Sequence, residues 1–292
     1  MTNKAYGCAA LAVFCLGLAP AAQAELKPVS DEALGEVTGQ AFMQVQNLSD
    51  TSHEFTRMTL GVDVETRVNV DDIRIGEING GSDFAATHLA LGHIARQDGT
   101  QYNGKTYAKD EDVPFEATQP YLELAEDAQG LAGFRMGFTQ ARGSVSSLTS
   151  SFSGDIGLKL TDSTGAEFDA VLFDAAGQAT NHRATQIGIP DDPANPTTCR
   201  ECVSLDRVQS LFVGTEKADG TTGFTDEFFI GFQRDDAGVA WQSPNGANVI
   251  NAGKGVFINL PTSMTVEMSQ LTGTSGLPRL RTHQVDMGDQ LF

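Results

Sequence analysis

Residues 56–70 read TRMTLGVDVETRVNV. Even positions carry Met58, Leu60, Val62, Val64, Thr66, Val68 and Val70. Odd positions carry Arg57, Thr59, Gly61, Asp63, Glu65, Arg67 and Asn69. Side chains of a strand alternate between faces, so the stretch has one apolar and one polar face. At about 3.3 Å per residue a single strand of this length would extend roughly 50 Å, past the usual limit of about ten residues. The pattern predicts a mostly β protein of long antiparallel strands, sandwich- or solenoid-like, framed by this stretch.

Downstream, Asp71-Asp72 is followed by odd-numbered apolar residues, Ile73 and Ile75, which predicts a face switch at a β-bulge or tight corner. Asn79-Gly80-Gly81 reads as a tight turn. Residues 97–113 hold two turn dipeptides and a charge cluster and read as an exposed hairpin or loop. Shorter alternating runs predict strands at 121–125, 133–139 and 156–160, and further ones to residue 268. Residues 143–153, rich in serine and glycine, alternate irregularly. The chain shows no fixed repeat period, so a regular solenoid is not supported. These readings make 42–270 a β-rich domain. A large irregular loop at 174–206, centred on IPDDPANPTTCRE, is an alternative domain boundary. Residues 271–292 read as a polar, loosely held tail.

Upstream, residues 1–24 have the layout of a secretory signal peptide: Lys4, the apolar run AALAVFCLGLA, and Ala22-Gln23-Ala24 as a small-x-small cleavage site. The expected location is therefore outside the cytoplasm, in the periplasm, on the outer surface or in the medium. The apolar run is too short for a membrane-spanning helix. Residues 25–41 predict a two-turn helix at about 31–38. Ser30 is its N-cap, Asp31 and Glu32 lie in its first turn, Leu34 and Val37 are on its apolar face, and Gly39 ends it. A helix this short needs a docking surface. We read Ser30, Asp31, Glu32, Leu34, Val37, Gly39 and Gln40 as a recognition segment, with a simple plug over one end of the sheet as the plainer alternative.

This segment, Leu26-x-Pro28-x-Ser30-Asp31-Glu32-x-Leu34-x-x-Val37-Thr38-Gly39-Gln40-Ala41, directly follows the signal-like stretch. It resembles the start of an uncharacterised family of secreted Gram-negative bacterial proteins, some of them labelled pilus-system proteins of the FilA type. The stretch from Pro120 to Gly157, with Gly133-Phe134-Arg135-Met136-Gly137-Phe138 at its centre, has the same look. The resemblance implies an exported β-rich protein, with surface or pilus association as its sharper form. It carries over no catalytic residue.

The chain has 38 acidic against 19 basic residues, a net charge of −19. That balance excludes nucleic-acid binding by charge and argues equally against anionic lipid surfaces. Cys199-x-x-Cys202 is the one cysteine pair beyond the signal segment and predicts a local disulfide, since exported thiols oxidise. A redox motif lacks its βαβ context, and zinc lacks two of its four ligands. His88 and His93 lie five apart, on opposite faces of a strand, and no HExxH occurs. Asp63 and Glu65 share a face with Arg57 and Arg67 and read as a charge ladder. Asp71-Asp72, Asp110-Glu111-Asp112, Asp191-Asp192 and Asp235-Asp236 fall at turns, where calcium could sit, although no calcium-loop motif is present. The serine cluster 144–153 has no histidine beside it in sequence, and no GxSxG occurs.

The expectation is thus a non-enzymatic structural or interaction protein without a cofactor, acting through a protein partner or self-assembly. The rival is a carbohydrate- or calcium-binding β-sandwich module.

Overall fold

The 56–70 stretch folds as parts of three strands. These are β2 (Glu54–Leu60), β3 (Asp63–Thr66) and β4 (Val68–Ile75), and they follow β1 (Met43–Ser49). The single long strand expected there is corrected by two breaks. In the first, Val62 N–H donates to the Leu60 carbonyl. The second, at Arg67, sends β4 to different neighbours from β2 and β3. The computed structural model describes residues 42–218 and 221–283, all within one unit spanning 41–292. The signal-like residues 1–24, the recognition segment 25–41 and the last residues, 284–292, lie outside the described residues.

The longest strand is one that the sequence shows only in pieces. It is β7 (Gly130–Ser151), preceded by β5 (Phe84–Leu91) and β6 (Phe115–Asp127), and followed by β8 (Ser210–Val213), β9 (Phe229–Gln233), β10 (Val239–Gln242), β11 (Val249–Ala252) and β12 (Gly255–Leu260). The protein is mostly β. The helical elements among the described residues are a 3-10 turn at Leu205–Arg207 and one short helix at Met268–Thr272.

The first half of β7 lies in a sheet of order β1-β2-β6-β7-β9-β12, antiparallel throughout, which ends on a parallel pairing of β12 with Gly154–Ile156. Its second half pairs with β5 on one side and β8 on the other, and β4 flanks β5. The change of partners falls at Gly143, which has φ +149 and where a Cβ would come within 2.6 Å of the Phe115 ring. Only glycine lets the strand cross Phe115 there.

The expected face switch near Asp71-Asp72 is present, but without a change of register. Val68 and Val70 pair with Leu91 and Leu89, and Asp72 and Ile73 with Thr87 and Ala86. His88, opposite Asp71, has φ 52, so both strands turn over together. Asn79 (φ 55) and Gly80 (φ 80) form the expected turn, closed by Ile78 N–H donating to Gly81. The hairpin within 97–113 pairs Thr100–Tyr102 with Lys105–Tyr107, although Tyr107 and Val113 are buried.

Two other expectations change. Segment 174–206 is not one irregular loop. Gln186–Pro190 pairs with both Val171–Phe173 and Cys199–Ser204, and Ile187 and Ile189 are fully buried. The prolines are confined to the connection and the strand end. Part of the tail is also tied down: Thr282 is buried, its carbonyl accepts from Arg67 and Asn69, and Leu277 N–H donates to Arg207.

The main core gathers Phe115, Leu158, Leu160, Ile187, Ile189, Val213 and Leu271. A second cluster, Phe55, Phe229, Val239, Trp241 and Phe257, sits where the β10–β11 hairpin covers one face of the first sheet.

Candidate functional site

The register of the first sheet lines up two rows of side chains on opposite faces. In one row Val45, Met58, Leu122, Met136, Ile230 and Ile258 are consecutive cross-strand partners from β1 to β12. In the next, shifted by one residue, Gln46, Arg57, Glu123, Arg135, Gly231 and Phe257 are partners in the same way. Since alternate residues point to opposite sides, the first row faces one side of the sheet and the second the other.

The polar row is the closed one. Arg57, Glu123 and Arg135 are all buried, Arg135 completely. Arg135 Nε donates to Glu123 Oε2 at 2.7 Å and Arg57 Nη2 to Glu123 Oε1 at 3.2 Å. Both arginines also donate to the Gln242 carbonyl of the covering hairpin. The Arg135 guanidinium lies about 5 Å from the rings of Tyr121, Phe229 and Trp241, the cation–π arrangement that favours a desolvated arginine. Burial pushes the Tyr121 hydroxyl up to about 12, against the opposing pull of Arg135. This set is sealed from solvent and reads as structure.

The apolar row opens onto a cleft of about 720 Å³. Met58, Leu60, Leu122, Met136, Phe138, Ile230 and Ile258 line it from the first sheet, and Val68, Ile73, Leu89, Leu91 and Val145 from the second. Among the described residues Ser147, Thr149 and Tyr121 put hydroxyls on its wall, and Ser147 and Thr149 bond each other at 2.8 Å. No charged side chain among the described residues lines it. Met136 (45% exposed) and Met43 (53%) stand at its rim, so the cleft communicates with solvent. Its size falls within the range of small-molecule sites, about 300–1,000 Å³.

The residues singled out in the sequence are dispersed. Cys199 and Cys202 form a disulfide at the end of the Gln186–Ser204 hairpin. Glu65 sits opposite Glu116 in the register, and Lys105 bridges the two carboxylates at 3.0 and 3.1 Å. These carboxylates hold the Lys105 ammonium pKa above its ordinary value. Arg67 pairs with Asp112 at 3.0 Å, so the ladder expected along 57–67 is split among three partners. The turn acids serve protein donors: Asp192 caps Ala194 N–H, Asp235 pairs with Arg234 and Asp236 with Lys254. Among the described residues no group of three or more His, Cys, Asp or Glu is placed to hold a metal ion. The one tryptophan, a natural sugar-stacking platform, is fully buried.

Sequence reasoning missed two pairings. His93 Nδ1 lies 2.9 Å from Ser144 Oγ, so the serine cluster does have a histidine beside it in space. Ser144 is fully buried, and burial lowers the His93 pKa to about 4. A sealed serine offers no access to a substrate, so the pair reads as a satisfied core contact. Buried Asp83 accepts from Arg183 Nε at 2.8 Å and from Val256 N–H at 2.9 Å, tying β5 to β12. No local spacing signals either pairing, because the partners lie 51 and 100 residues apart.

Residues 4–106 match a family of unknown function, DUF6160. No curated protein and no solved structure matches the chain. No helix among the described residues is long and apolar enough to cross a membrane.

Proposed function

We propose that the protein is an exported, non-enzymatic binding protein whose working surface is the apolar cleft. The observation behind this reading is the six-residue apolar row, Val45 to Ile258, which runs across a whole sheet yet is left partly open. Exposed contiguous apolar surface costs free energy and marks a site of interaction. Export rests on the signal-like layout of residues 1–24.

The test is fluorescence of uncharged N-phenyl-1-naphthylamine with the full chain. The dye should brighten, and Met136→Glu with Ile230→Glu should suppress it while the far-ultraviolet circular dichroism is retained. Dye that stays dark, or that ignores both substitutions, refutes the cleft reading.

A second reading is self-assembly, in the manner of a surface appendage or pilus component. It is favoured by β1, which among the described residues is an edge strand bonded only to β2, with Phe42, Met43 and Val45 exposed. Such edges accept added strands. Light scattering of wild type against Val45→Pro separates the readings: assembly through the edge should vanish in the variant.

A further inference from the structure

We propose that the cleft takes a single long aliphatic chain of a free amphiphile whose head group carries no net negative charge. This rests on the binding reading above and names its ligand class. Three features point to it.

The first is shape. The lining residues of β7 run from Met136 to Thr149, about 40 Å of strand contour at about 3.3 Å per residue before the bend at Gly143 is counted. The cleft touches β7 on both sides of that bend and draws its lining from both sheets, and an extended space of this kind suits a long, thin ligand better than a compact ring system. The second is lining chemistry. The wall is mostly methionine, leucine, isoleucine, valine and phenylalanine; of its hydroxyls, Ser147 and Thr149 bond each other, and Tyr121 is buried without a hydrogen-bond partner among the described residues. Three of the lining residues, Met43, Met58 and Met136, are methionines, whose flexible side chains adapt to chains of differing length. The third is charge. Among the described residues the wall holds no cation to receive a carboxylate or phosphate, and the chain as a whole carries −19. An anionic head at the rim would find no cation to pair with on the wall and would be repelled from a distance by the net charge of the chain. A neutral head at the open rim beside Met43 and Met136 meets neither penalty.

The experiment displaces N-phenyl-1-naphthylamine from the full chain with monoacylglycerols of increasing chain length and with the matching fatty acids at alkaline pH. Each added methylene should tighten binding about four-fold, the ratio corresponding to about 0.8 kcal/mol per buried methylene. Each fatty acid should bind at least about ten-fold more weakly than its glyceride. A flat chain-length series, or acids that bind as tightly as glycerides, overturns the ligand class while a bright dye leaves the binding reading standing. A dark dye refutes that reading itself. Two further arms test other occupants. Stable co-sedimentation with phosphatidylcholine vesicles would make the cleft a membrane-docking surface and overturn the free-amphiphile site. Binding seen only with Leu34→Asp and Val37→Asp would show that residues 25–41 fill the cleft, and would overturn it too.

Discussion

The two faces of the first sheet are built from the same strands and differ by one residue of register, yet they meet opposite fates. The face carrying Arg57, Glu123 and Arg135 is sealed beneath the β10–β11 hairpin. The face carrying Met58, Leu122, Met136 and Ile230 is partly open. Hydrophobicity therefore does not decide which side of this sheet is interior. Cover decides it, and the cover is supplied by strands far along the chain. A buried charge cluster depends on its counter-ion, whereas an open apolar row is stable without a partner and gains further by acquiring one.

The sharpest way to break the comparison is Glu123→Ala. It leaves two arginines facing each other without a counter-ion and should lower the unfolding free energy by about 3–5 kcal/mol in urea titrations. Replacing all three charged residues by apolar ones (R57M, E123L and R135M) should recover most of that loss. Failure to recover would mean that the polar row specifies the hairpin's position as well as tolerating it.

A smaller effect comes from His93, an uncharged polar group in the other half of the molecule. The unfolded chain takes up this proton near pH 6.5 and the folded chain only near pH 4. Stability therefore falls as the pH drops through that window, by about 3 kcal/mol in all. His93→Asn should remove this part of the acid sensitivity in pH-dependent melting.

Smaller again is reduction of the Cys199–Cys202 bond, whose ring is short. The loss should be at most about 2 kcal/mol in a thermal melt with and without reductant. The smallest effect belongs to the open face. Met136→Ser should change stability by no more than about 0.5 kcal/mol while weakening dye binding. A large loss of stability at Met136 would show that the row is part of the core and would dissolve the contrast between the faces.

Alternation made the two faces legible in the sequence, and so did the turn at Asn79-Gly80 and the disulfide, because each is a local pattern. Parity is a property of a strand, but cover is a property of the fold. Arg57 therefore reads as a solvated residue until Glu123 and Gln242, 66 and 185 positions away, are known to enclose it. The second half of β7 escaped for a related reason. Its serines look like loop residues, yet Ser144 and Ser146 are fully buried, with Ser146 bonded to Ser210 at 2.8 Å. Small hydroxyls suit that strand because Ala85, Ala86 and Ala90 lie across from it on β5. The prolines of 190–196 disguised a hairpin, since they crowd its connection and leave Ile187 and Ile189 to the core. The cleft was half legible: Met58 and Leu60 fall on the apolar side of the alternation, but the openness of the row depends on what the rest of the chain leaves uncovered.

The shared strand β7 also bears on time. Its first half waits for β9, which in turn waits for β12, and its second half waits for β8, all of them later in the chain. Arg67 must find a carbonyl 215 residues downstream. A chain made from its N-terminus therefore produces its sheet edges long before it produces the strands that close them. Pairings this distant also slow the search for the native state. Until β12 is released, the apolar row has no native neighbour on that side, and the interval between synthesis and closure is when this molecule is most exposed to misassembly.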